Sequence, residues 1–129
     1  MSELGELRTG IAAELDAALR PLGARAYPNL PDRLNPPLAL VQPGSPYLEP
    51  ATGSGFARGS WSIRHELILL LPPTAANAVQ ASSLDVLVEA AMHVAVNHGL
   101  QSVGQPYPLE VAGVTYTACR LQLLTTNNT

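Results

Sequence analysis

Lysine is absent from this chain, and cysteine, tryptophan and phenylalanine occur once each among its 129 residues. Each shortage excludes something. A single cysteine, Cys119, leaves no disulfide framework and no cysteine-based metal cluster. The cationic residues are all arginine (Arg8, Arg20, Arg25, Arg33, Arg58, Arg64 and Arg120), they are scattered, and the net charge is −3. Without a basic stripe, sequence-independent binding to nucleic-acid phosphates is not expected. The missing lysine reads as the codon bias of a GC-rich genome. No uninterrupted apolar run approaches the roughly 20 residues of a membrane helix. The N-terminal stretch also lacks the charged segment and apolar run of a signal peptide. A soluble chain made in a reducing cytoplasm is the expectation.

Charge itself is scarce. Charged residues make up 13% of the chain, about half the usual share, while the hydrophobic fraction of 47% is ordinary. Such a surface does little to keep neighbours apart. Two readings stay open: surfaces that become covered by other subunits, or simply a short chain with a sparse surface. The length suits one domain, 1–129, with a moderate core.

What is present is a definite order of parts. Leu4, Leu7, Ile11, Leu15, Leu19 and Leu22 recur at spacings of three and four, which predicts a helix over 4–22. Glu3, Glu6, Glu14, Asp16 and Arg20 fall off that stripe, acids early and arginine late as the helix dipole favours. Pro21 and Gly23 stop it. Eight of the twelve prolines then lie between Pro21 and Pro50, excluding helix and interrupting any central strand. Short strands fit at 24–27 and 38–42. The stretch 43–59, rich in Pro, Gly and Ser, reads as a long loop of functional or mobile character.

Residues 61–71 alternate as a long strand, with Trp61, Ile63, His65, Leu67, Leu69 and Leu71 on one face. The other face turns from polar to apolar at Ile68, so its second half should be covered on both sides. A second helix is expected over 83–98, capped by Ser82 or Ser83, closed by Gly99 and extendable backward through alanine-rich 74–81. A hairpin follows, 109–111 and 114–124 around Ala112-Gly113, then a frayed tail at 125–129. The fold class is therefore α+β, a mostly antiparallel sheet with two main helices.

No chemistry-bearing pattern emerges. The glycines of 53–59 superficially suggest a phosphate loop, but a strand follows where a helix N-terminus is required. His93 and His98 are five apart, not the four that places two zinc ligands on one helical face. His65, on an apolar strand face, reads as a satisfied core or interface histidine. Cys119 has no cation or helix end to activate it, the strained turn of a serine nucleophile is missing, and no spacing selects a carboxylate pair. Tyr116 and Trp61 read as residues at the margin of a small core. Tyr47 and Phe56, stranded in the long loop, are harder to explain without a partner.

Read together, these segments resemble the tail terminator family of long-tailed bacteriophages. The resemblance is carried by the opening helix 4–22, by Tyr27-Pro28 with Pro36-Pro37-Leu38-Ala39-Leu40-Val41, by the strand 63–71 and by the helix around 84–96. The closing Val111-Ala112-Gly113-Val114-Thr115-Tyr116 completes it. It covers nearly the whole chain as layout and short phrases. What it implies is a virion structural protein of siphovirus type: a homo-hexameric ring that caps the tail tube, stops its polymerisation and joins the tail to the head connector. It implies no catalysis, cofactor or metal. The partners would be further copies of the chain, the tail tube protein and the connector or stopper protein. DNA would only pass through the lumen, without sequence-specific binding, and no membrane would be involved. The place would be the head-proximal end of the tail, after assembly in the host bacterial cytoplasm. On that view Tyr47, Leu48, Phe56 and Arg58 are the candidate partner-contact residues. The alternatives are another connector, such as a stopper or tail-completion protein, or a small ligand-binding or enzymatic domain with a pocket around His65 and His93.

Overall fold

The computed structural model describes residues 2–50, 60–72 and 78–127. Helix α1, Glu3–Leu19, starts where the Ser2 hydroxyl accepts a hydrogen bond from the Gly5 amide at 3.0 Å, filling one orphan N–H of the first turn. Its last turn tightens into a 3₁₀ segment, Arg20–Leu22, and Gly23 ends it at φ 82°, a left-handed conformation that favours glycine.

Strand β1, Arg25–Tyr27, lies parallel to the start of β2, Leu38–Pro50. Strand β2 runs antiparallel to β3, Trp61–Leu71, and β3 pairs along its whole length with β6, Val114–Asn127. The outer edge of β6 is shared by β4, Leu100–Val103, and β5, Tyr107–Val111. The result is a six-stranded, mostly antiparallel sheet with α1 and α2, Ala78–Ala95, on one face. This is the α+β architecture expected.

The main core lies between that face and the helices. Ile11, Leu15 and Leu19 of α1 and Leu84, Leu87, Ala91 and Ala95 of α2 close over Val41, Leu67, Leu69, Leu121 and Leu123. A smaller cluster on the opposite face joins Leu38, Leu40, Ile68, Leu70, Tyr116 and Ala118, with Leu34 and Tyr107 packed against it. Both faces of β3 are thus apolar in its second half, as its sequence predicts. At about 25 cal/mol per Å² of buried apolar surface, each fully buried leucine contributes about 2 kcal/mol before entropy is counted.

Several expectations are corrected. The predicted loop at 43–59 does not begin at residue 43: β2 continues to Pro50, pairing Leu48 with Ile63 and Pro50 with Trp61 across a bulge between Pro43 and Leu48. Strand β1 pairs only with Leu38–Leu40. The far half of β2 is therefore an edge among the described residues, where a proline forfeits no ladder bond on its open side. Residues 51–59 lie outside the described residues. The tail does not fray at Thr125, because Trp61–Ile63 supply partners for β6 as far as Asn127. Helix α2 starts at Ala78, so Ser82 and Ser83 sit within it rather than cap it; Ala78 and Ala81 are the strongest helix formers and extend it. Strand β4 was unmarked, and β5 starts at Tyr107, two residues early. Gly99 does close the second helical segment, at φ 77°.

Candidate docking surface

The end of β2, the start of β3 and the end of β6 meet the first turns of α1. There two adjoining depressions of about 210 and 440 Å³ open to solvent. The first is lined by Glu3, Leu4, Leu48, Trp61 and Ile63; the second adds Leu7, Thr125 and Thr126. Trp61 is 46% exposed and Leu48 37%, so Trp61 is not the core-margin residue its strand pattern suggested. It stands level with the start of α1, where the helix layer ends and, among the described residues, nothing further covers the sheet. Glu3 and Glu6 are exposed at the same rim and form no ion pair among the described residues.

Two residues beyond Ile63 on β3 the core holds a buried polar side chain. His65 is 1% exposed, and neither ring nitrogen has a hydrogen-bond partner among the described residues. Its ring meets Tyr47 edge to face, with centroids 5.5 Å apart and planes at 78°; such aromatic pairs are favourable beyond their buried area. Burial, and secondarily the Arg8 charge, pushes the His65 pKa down, because a charged imidazolium there would lose water and gain no acceptor. His65 is buried as expected, but it is not satisfied.

Of the predicted partner-contact residues, Leu48 lines the groove and Tyr47 packs half-buried on His65. Tyr47 is thus a packing residue more than a surface anchor. Phe56 and Arg58 lie outside the described residues. Trp61 and Leu4, which the sequence reading did not assign to the contact surface, complete the groove. The signal for Trp61 was its place at the first position of a strand, beyond the helix that covers the rest.

At the opposite end of α1 a second surface forms. Asp16 is buried and accepts hydrogen bonds from Arg25 Nε at 2.8 Å and the Ala26 amide at 2.9 Å, with Arg20 Nη2 on its other oxygen. The Arg25 hydrogen bond, then the Ala26 amide and Arg20, holds the Asp16 carboxyl well below the usual carboxylate range. Periodicity alone put Asp16 on a solvated face. Two arginines on one carboxylate leave this corner with a surplus positive charge, and Leu22 beside them is 43% exposed.

The remaining candidate groups do not converge. His93 is exposed on α2 while His65 is buried, and His98 pairs with Glu14 of α1. Burial pushes the Cys119 thiol pKa up, and its Sγ donates to the Gly104 carbonyl at 3.2 Å, the behaviour of a core residue. The cavity that His65 lines, with Gly44, Arg64 and Gln122, is only about 50 Å³, far below the ~300 Å³ that small-molecule sites start from; a depression of about 500 Å³ beside Asp16 and Arg20 is open to solvent. Among the described residues no group of three or more His, Cys, Asp or Glu is placed to hold a metal ion. No helix among them is long and apolar enough to cross a membrane. No protein-family model matches the chain, and no curated protein matches it.

Proposed function

We propose that the protein is a ring-forming tail terminator of a long-tailed bacteriophage, a non-catalytic subunit that caps the tail tube and joins it to the head connector. The observation that carries the reading is the exposed apolar groove of Leu4, Leu48, Trp61 and Ile63 at the rim of the sheet. Large apolar side chains gathered at one place on a weakly charged chain mark a surface made to be covered. The α+β architecture, with both helices on one face, is compatible with the subunit the sequence resemblance implies. A ring subunit also needs two different contact patches, since heterologous contacts are what close rings; the two ends of α1 present different chemistry.

The test is recruitment to tail tubes. Purified protein added to growing tubes of the cognate tube protein should stop elongation and be seen by electron microscopy at one end only. Binding along the tube wall, or none, would end this reading. Recruitment to an isolated head connector without any effect on tube length would instead make the protein a stopper.

A further inference from the structure

The two ends of α1 carry complementary surfaces. The 17 residues of the helix separate them by about 25 Å at 1.5 Å per residue, so they do not overlap. At the N-terminal end a groove holds exposed Leu48 and Trp61 under the acidic rim of Glu3 and Glu6. At the C-terminal end the exposed Leu22 stands on a 3₁₀ turn between Arg20 and Arg25, whose side chains are 64% and 56% exposed. One end has a concave apolar seat with negative charge; the other has an exposed apolar residue with surplus positive charge, beside an open depression lined by Ala13, Asp16, Ala17, Arg20 and Pro21.

We infer that these are the two halves of one head-to-tail contact, with Leu22 of one copy seated between Leu48 and Trp61 of the next and its flanking arginines facing Glu3 and Glu6. The inference rests on the ring reading above and names the partner surface, a second copy of this chain. Charge complementarity singles out this occupant. Matched charges at the rim guide encounter and fix orientation, while the apolar centre supplies the affinity.

The alternative contact, pairing of open sheet edges, is opposed by the chain itself. The far half of β2 is the longest open edge among the described residues, and Pro43, Pro46 and Pro50 interrupt its row of donors. Prolines there blunt strand addition, leaving side-chain contacts as the route to assembly. Because the patches differ, each copy retains one free half after pairing, and the contact propagates beyond a dimer, closing as a ring where the rotation between copies allows.

The experiment is a mixing test read by light scattering behind size exclusion, from low micromolar to near-millimolar concentration. Wild type should assemble beyond a dimer, and less so as salt is raised. Leu48→Ser with Trp61→Ser removes the seat, and Leu22→Glu removes the knob. Each variant alone should weaken association at least about tenfold, the scale of a contact hot spot. Mixed one to one they should recover a dimer and nothing larger, because each carries the half the other lacks. Both variants change only exposed residues, and unaltered circular dichroism and melting confirm that each is folded. A wild type that stays monomeric throughout, or mixed variants that do not pair, overturns the contact. Tube recruitment by a monomeric wild type would overturn the contact while leaving the terminator reading standing. A ring that ignores tail tubes would do the reverse.

Discussion

Asp16 sits on the edge of the α1 stripe, where a carboxylate would ordinarily face water. Instead it ties the helix to the start of β1 through Arg25 and the Ala26 amide. Hydrogen bonds to a charged group are worth about 1.5–3 kcal/mol each, so Asp16→Asn should cost about 2 kcal/mol in urea unfolding. Its folded pKa is depressed, so this contribution is fully present above the unfolded value of about 3.9 and is lost progressively as pH falls from there through the depressed folded value. His65 acts in a higher window. Its folded pKa is also lowered, so the unfolded chain binds a proton first as pH drops below about 6.5. Stability should decline as pH falls below about 6.5 in wild type, and His65→Leu should remove that part of the decline; an unchanged slope would show that His65 does not titrate on unfolding. Gly99 is constrained by space as well as by φ 77°, since a Cβ there would lie 1.9 Å from the Leu124 carbonyl oxygen. Gly99→Ala should therefore cost about 3 kcal/mol or more, measured by thermal melting. Of these three, the sequence marked Gly99 as a helix stop. It marked His65 as buried and missed Asp16, because periodicity reports a residue's angle around the helix and not what the next strand brings to it.

At the scale of elements, β3 and β6 are flanked on both sides and β2 only over its first residues. Amide hydrogen exchange should follow that order. Amides of 67–71 and 118–121, between two apolar clusters, should be the most protected, and those of 44–50 among the least protected of the strands. Protection of 44–50 equal to that of β3 in the isolated chain would show its edge to be covered. Alternation located β3 at Trp61–Leu71 because five of the six residues on one face over eleven positions, all but His65, are apolar. It failed on the far half of β2 because Pro43, Pro46 and Pro50 speak against a strand. Only the neighbouring β3, and the absence of a strand on the other side among the described residues, make them tolerable. Strand β4 was missed for a related reason: Leu100–Val103 is too short to show a period, and it exists as a strand because β6 offers a free edge.

For the whole molecule the question is what remains uncovered. Leu48 and Trp61 contribute little to the core, so replacing both by serine should leave folding stability within about 0.5 kcal/mol by urea unfolding while association falls. A large loss of stability would instead assign the groove to the fold. Assembly should weaken with salt, since Glu3, Glu6, Arg20 and Arg25 lie at the exposed rims of the proposed contact, where screening acts within about 8–10 Å.

The sequence by itself determined the α+β class, both helices, the long central strand and the closing hairpin, along with the shortage of charge. These follow from local rules, since helical and strand periods, proline and glycine act within a few residues of where they stand. Only the tertiary structure decided that Asp16 is buried, that β2 reaches Pro50, and that Trp61 is exposed beside Leu48 where the helix layer ends. Those outcomes depend on where one layer stops relative to another, a long-range quantity that no short stretch of residues encodes.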